Sequence, residues 1–158
     1  MVRRVRRCQC ADRVCGVFKP TCDTRYSDKE VVTHNQDKNP AISTAALFDC
    51  WDVAITFDCI GIDEGQFFPD LVEFCEALAN QGKTVIVACL DATYQRKAFG
   101  TVLQLVPLAE TVIKLKAVCS VCKHDASFTY RIAASTDEML IGGADSYRAV
   151  CRACYFKA

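Results

Sequence analysis

Residues 57–91 read FDCIGIDEGQFFPDLVEFCEALANQGKTVIVACLD, and the order of elements inside this stretch decides the fold. Phe57–Ile62 is a short apolar run with the pattern of a buried strand, and it ends in Asp63-Glu64 just ahead of a glycine. PDLVEFCEALANQG then reads as a helix: Pro69 suits its first turn, Leu71, Phe74, Cys75 and Leu78 fall on one face, and Gly82 suits a left-handed cap. TVIVACL follows, rich in β-branched residues, as a strand covered on both faces. Strand, helix, strand in that order predicts a parallel sheet in an α/β fold.

The same stretch contains Gly82-Lys83-Thr84, the ending of a phosphate-binding P-loop. Such a loop needs a glycine five residues before its second glycine, so that uncrowded backbone N–H groups can turn toward the phosphates. That position is Ala77. A P-loop also hands a strand over to a helix N-terminus, whereas here a helix hands over to a strand. Gly82-Lys83-Thr84 is therefore expected to be a helix exit.

With 158 residues the chain is long enough for one domain with a sizeable core and a small appendage. No apolar run approaches the roughly 20 residues that span a bilayer, and the first residues lack the apolar stretch of a signal peptide. A cytoplasmic protein without a membrane partner is the expectation. Nineteen basic and nineteen acidic residues cancel formally, so no overall field points to nucleic acid.

Twelve cysteines are many for such a chain. Cys59 and Cys89 lie inside apolar strand patterns and Cys75 on the inner face of a helix, so they read as small buried hydrophobes. The last four differ. VCSVCKHD and AVCRACYF each hold a C-x-x-C pair, Cys119 with Cys122 and Cys151 with Cys154, and two such pairs can converge on one tetrahedral Zn²⁺. The 28 residues between the pairs exceed the common spacing and leave room for a β-hairpin, read as SFTYRIA and EMLIG, and a functional loop. Unligated thiols or disulfides are the alternative. A complete set of four cysteines leaves no open coordination position, so the metal is expected to be structural, and His124 is expected to be a surface residue. His34 has no local constellation.

Asp63-Glu64 is the second strong feature. Carboxylates at the C-terminal end of a parallel strand face the crevice where open α/β sheets bind ligands. An aspartate there can hold Mg²⁺ or its waters, and an adjacent glutamate can accept a proton from a hydroxyl nucleophile. A solvated turn is the alternative reading of these two residues.

DTRYS (23–27), IGIDEGQFFPD, GKTVIVACLDATYQRKAFG, LVPLAETVIKLKAVC, IGGADSY and CRACYF together resemble the cytosolic, type II thymidine kinases, nearest to the animal enzymes. The resemblance covers nearly the whole chain in register. It implies a RecA-like P-loop NTPase sheet, here without its N-terminal part, over residues 1–117, and a small zinc-ribbon or lasso domain over 118–158. It also implies a homotetramer that transfers the γ-phosphoryl of ATP to the 5′-hydroxyl of thymidine or deoxyuridine. Carried over residue by residue, Glu64 resembles the general base and Asp63 the Mg²⁺-associated carboxylate. Asp23 and Arg25 resemble residues beside the phosphates, where a guanidinium could steady the transferring charge. Phe67 and Tyr94 correspond to residues that border the thymine ring, Leu90 and Thr129 to residues lining its pocket, and Tyr147 to one approaching from the lasso. Gly142-Gly143 would let backbone groups approach the base. Tyr94 stands where phenylalanine is expected, which keeps the ring and adds a hydroxyl that needs a partner. Gln95, Arg96 and Lys97 are either functional or simply solvated loop charges.

Family members carry a strand and a P-loop of the G-P-M-F-S-G-K-S/T kind before an Arg-rich helix end, and MVRRVRRCQC matches that helix end. Val2, Val5 and Cys8 recur at a helical interval with arginines between them, so the segment reads as the last turns of an amphipathic helix. Taken without the family, four arginines in seven residues could also be a nucleic-acid patch or a transit-peptide fragment. Three readings follow: a thymidine kinase truncated at its start, a catalytically inactive zinc-containing member that acts by oligomerisation, and a zinc-ribbon nucleic-acid module, which the neutral charge disfavours.

Overall fold

The computed structural model describes residues 1–23, 30–32, 38–134, 142–143 and 145–157. Arg25, His34 and residues 138–141 of the expected second hairpin strand lie outside the described residues. The chain forms two units, Met1–Asp91 with Phe99–Leu108, and Ala92–Ala98 with Ala109–Ala158.

The first unit runs α1 (Val2–Gln9), β1 (Cys15–Pro20), β2 (Glu30–Val32), β3 (Lys38–Pro40), β4 (Ile42–Thr44), α2 (Trp51–Ala54), β5 (Cys59–Ile62), α3 (Leu71–Asn80) and β6 (Thr84–Val87). Its main sheet has the order β4-β1-β5-β6, with every pair parallel, and β2 and β3 form a separate antiparallel pair. Period-two alternation divides the apolar side chains between two faces. Phe18, Ile60 and Ile62 join Leu47, Leu71, Phe74, Leu78 and Val102 in one cluster, while Val17, Cys59 and Ile86 join Val5 in the other. Met1, Val2 and Cys8 pack beside Val5 and the arginines of α1 are exposed, as their helical interval predicts. A Cβ on Gly61 would lie 2.9 Å from both Met1 Sδ and a Val5 methyl, so glycine is what lets α1 approach β5.

α3 buries the four residues expected, Leu71, Phe74, Cys75 and Leu78. Gly82 has φ +75, and Lys83 N–H donates to Leu78 O at 3.1 Å while its ammonium donates to Ile55 O at 2.7 Å. Gly82-Lys83-Thr84 is thus a helix exit, and its lysine is committed to a carbonyl of the fold.

Pro69 and β6 depart from expectation. Pro69 sits in a turn before α3 rather than in its first turn, because a 3₁₀ turn at Gly65–Phe67 first carries the chain off the end of β5. Asp70 at the helix N-cap uses its carboxylate to accept from the N–H groups of Leu47 and Phe48, at 3.1 and 2.8 Å. β6 is not covered on both faces along TVIVACL: it is an edge strand of four residues with only Ile86 buried, and Cys89 and Leu90 are exposed beyond its last rung, Ala88 N–H to Ile62 O at 2.8 Å.

In the second unit β7 (Ala117–Val118) pairs antiparallel with β8 (Asp125–Ala126), and β9 (Phe128–Arg131) pairs antiparallel with β10 (Tyr147–Val150), which leads into α4 (Arg152–Tyr155). The described partner of SFTYRIA is therefore the segment before Cys151, and the two strands deliver the second cysteine pair to the first. The core is small: Cys119, Ala126 and Val150, with Phe128, Tyr130 and Tyr155 packed around them.

Candidate active site and cysteine centre

β5 is buried at all four positions and carries Asp63-Glu64 at its C-terminal end. Both flanks of this corner are tied down. Asp63 N–H donates to Phe18 O of β1 at 2.9 Å, and Gly65 N–H donates to Ala88 O after β6 at 3.0 Å. Between them Glu64 takes φ +50, a left-handed conformation that is uncommon without glycine and turns its side chain out of the strand's alternation. Gln66, itself buried, donates to Glu64 Oε2 at 2.6 Å and accepts from Leu90 N–H at 3.0 Å. Asp63 has its carboxyl pushed up to about 6, first by burial and then by the nearby charges of Glu64 and Asp23. Carboxylates that raise one another in this way suit a divalent cation, which relieves their repulsion.

Phe67 meets Phe99 edge to face at 5.7 Å within the same unit, and Leu90 is 48% exposed. Two residues escaped sequence reasoning here. Gln66 looked like one more letter of a motif, although a buried amide between two hydrogen-bonding partners is a positioning group. Lys19 is 3% exposed on β1, and because Phe18 is in register with Ile62, Lys19 and Asp63 follow at the same level of the sheet.

The second unit brings Tyr94, Thr129 and Tyr147 around Arg131, a residue that sequence reasoning read only as part of a hairpin. Tyr147 opposes Arg131 across the ladder and Thr129 precedes it by two, so the three share one face. The Arg131 guanidinium lies 3.8 Å from the Tyr94 ring centroid and 5.2 Å from that of Tyr147, and donates to Tyr147 Oη at 2.8 Å. The additional hydroxyl of Tyr94 finds its partner in Gln95, whose amide donates to it at 3.0 Å. Gly143 accepts through its carbonyl from the N–H groups of Ser146 and Tyr147, both at 3.0 Å, and a Cβ on Gly142 would collide with Ser146 Oγ.

The four cysteine sulfurs of Cys119, Cys122, Cys151 and Cys154 all lie within 4.8 Å of one another. Each pair turns as a knuckle. In the first, Cys119 N–H donates to His124 O at 2.8 Å and Lys123 takes φ +66; in the second, Cys151 Sγ accepts from Cys154 N–H at 3.4 Å. Backbone N–H donation, chiefly from Cys122, draws the Cys119 thiol down to about 6, whereas hydrogen bonding with Cys151 pushes Cys154 up to about 12. Such close sulfurs are stable together as thiolates only around a cation, and four soft donors with no competing disulfide among them make a metal-binding cluster. His124 is exposed and outside the cluster.

A family model described as thymidine kinase matches residues 1–155. The cytosolic thymidine kinase of Gallus gallus is 55% identical over 157 residues, which is 99% of this chain and 70% of that protein. The chain belongs to the thymidine kinase family. The cytosolic thymidine kinase of Homo sapiens is 54% identical over 157 residues, 99% of this chain and 67% of its own length. The thymidine kinase of Raccoon poxvirus is 51% identical over 155 residues, covering 98% and 87%. Within a thymidine kinase chain, the acidic strand end and the four-cysteine cluster are the two centres whose chemistry the geometry describes.

Proposed function

We propose that this chain acts as a thymidine kinase in nucleotide salvage, transferring the γ-phosphoryl group of ATP to the 5′-hydroxyl of thymidine or deoxyuridine. The observation that carries this reading is the Asp63-Glu64 corner at the end of the buried β5, where Glu64 takes φ +50 and Gln66 donates to its carboxylate. Glu64 accepts the proton of the attacking hydroxyl. Asp63, beside Asp23, would hold the Mg²⁺ or its waters, and the cation would supply neutralisation of the phosphate charge. Asp23 and Arg25 flank the phosphates. Phe67, Leu90, Tyr94, Thr129, Gly142, Gly143 and Tyr147 contribute to binding the nucleoside. Cys119, Cys122, Cys151 and Cys154 hold a structural Zn²⁺.

In this reading residues 1–117 form a RecA-like kinase domain and 118–158 a zinc-bearing lasso domain, and the protein assembles as a homotetramer. Its place is the cytosol, as the names of its animal relatives suggest. Among the described residues no helix is long and apolar enough to cross a membrane.

These 158 residues contain one Gly-Lys-Thr, and it is a helix exit without the preceding glycine of a P-loop. If the cradle, lysine and hydroxyl of a P-loop together contribute about 4 kcal/mol to the transition state, their absence lowers the rate by a factor of roughly 10³. The 158 residues by themselves are therefore expected to bind thymidine and to phosphorylate it slowly, which would also suit a subunit that acts by oligomerising. Joining a strand and P-loop segment ahead of Met1 is expected to restore turnover, and Glu64→Gln in that protein to lower kcat by about 10²–10⁴. Equal turnover with Gln at position 64 would exclude the assigned base, and ordinary kinase rates from the 158 residues alone would exclude the need for a P-loop.

A further inference from the structure

We infer that Arg96 and Tyr155 are positioning residues which pin the tight loop carrying Tyr94 onto the four-cysteine module. The inference rests on the proposal that Tyr94 borders the nucleoside. Residues 92–98 form a closed turn: Ala92 bridges Ala98, Thr93 N–H donates to Lys97 O at 2.9 Å, and Arg96 N–H donates to Thr93 O at 2.9 Å. Thr93 is buried at its base, 4% exposed, and its hydroxyl accepts from Gln95 N–H at 3.3 Å. Arg96 takes φ +62, a conformation that a residue with a Cβ adopts only when its surroundings hold it there.

Those surroundings are aromatic. The Arg96 guanidinium lies 4.7 Å from the ring centroid of Tyr155, 4.6 Å from that of Phe156 and 5.9 Å from that of Phe128. Tyr155 adds a directed bond, its hydroxyl donating to Tyr94 O at 2.8 Å. The Tyr155 ring is set by the cysteine centre. α4 is a single turn, begun by Cys151 as N-cap, and Tyr155 follows Cys154 directly and donates its N–H to Cys151 O at 2.9 Å. The Tyr155 ring then rests on Phe128 and Tyr130, each with centroids 6.0 Å away. A cation over several rings and one hydrogen bond to a carbonyl thus fix the backbone of Tyr94 from two sides. Arg96 and Tyr155 make no claim on the reacting atoms: they act through the loop.

The test compares wild-type protein with Arg96→Ala, Arg96→Lys and Tyr155→Phe, using hydrogen exchange of residues 93–97 and equilibrium binding of thymidine. Tyr155→Phe keeps the ring in place and removes only the hydroxyl, so it separates anchoring from folding. Amides of the loop are expected to exchange about tenfold faster in Arg96→Ala and Tyr155→Phe, with β9 and β10 unchanged. Thymidine affinity is expected to fall about fivefold, with Arg96→Lys recovering little because an ammonium lacks the planar stack. Unaltered loop exchange in both Arg96→Ala and Tyr155→Phe overturns the anchor. Faster exchange with thymidine affinity equal to wild type overturns the positioning role. Wild-type protein that does not bind thymidine overturns instead the nucleoside reading on which the inference rests.

Discussion

Gln66 holds Glu64 with a 2.6 Å hydrogen bond and takes a second from Leu90 N–H, so one buried amide links the end of β5 to the chain leaving β6. Gln66→Leu removes both bonds at nearly constant volume. It is expected to cost about 1–3 kcal/mol of stability, the usual loss when a buried or charged partner goes unpaired. A P-loop-completed protein carrying it should lose about 10- to 100-fold in kcat, because the base proposed at Glu64 is displaced, and its KM for thymidine should rise as well, because Leu90 N–H loses its anchor. Urea unfolding and steady-state kinetics check the two numbers. Cys75 tests burial at the same scale. Its thiol is pushed from an ordinary 9.0 up to about 12 by burial, so above pH 9 the unfolded chain releases a proton that the native chain keeps. Native protein binds more protons across pH 9–12, and stability contributed by the neutral thiol is complete below pH 9 and falls as pH rises. Cys75→Ala should flatten that fall by at most about 1.4 kcal/mol per pH unit, measured by denaturant unfolding at pH 8 and pH 10. Cys75 was legible as a core residue from its place in a helical interval. Gln66 was not, because no periodicity marks a polar residue whose burial depends on a strand two elements away.

At the scale of elements, α3 and the exit at Gly82 were readable because their signals are local. Leu71, Phe74, Cys75 and Leu78 repeat at helical spacing, and a glycine follows where a left-handed residue is needed. Leu78 has no exposed surface, and Leu78→Ala should destabilise the first unit by about 2–5 kcal/mol, seen as a lower denaturation midpoint with an unchanged slope. β6 was misread because composition cannot distinguish an edge from a centre. Val85, Ile86 and Val87 suit either, and only the strand order leaves Cys89 and Leu90 outside the ladder. The pairing of β9 with YRAV had no comparable signal: the segment adjoining Cys151 lies beside β9 with its end next to Cys119, while residues 138–141 of EMLIG are outside the described residues. Arg131 and the Arg96 stack had no sequence signal at all, since a cation in a strand or a turn reads as a solvated charge until the rings facing it are known.

Across the whole molecule the two units differ in what holds them. The first encloses two apolar clusters on opposite faces of a four-stranded sheet, with Phe18, Phe74, Leu47, Ile60, Ile62, Leu71 and Leu78 fully buried. The second has a buried core of Cys119, Ala126 and Val150, and the first of these is itself a member of the cysteine cluster. Three small buried residues offset little of the conformational entropy of ordering two hairpins and a helical turn, and a metal held by the proposed four-cysteine site would supply the difference. Protein prepared without added metal should contain about one Zn²⁺ per chain. A strong chelator should then abolish exchange protection in β9, β10 and the 92–98 turn, while α3 and β6 keep theirs. Four further thiols per chain should become reactive at the same moment, namely Cys119, Cys122, Cys151 and Cys154. Bound metal well below one ion per chain, or protection in β9 and β10 that survives its removal, would mean that the aromatic packing of Phe128, Tyr130 and Tyr155 suffices to fold the second unit.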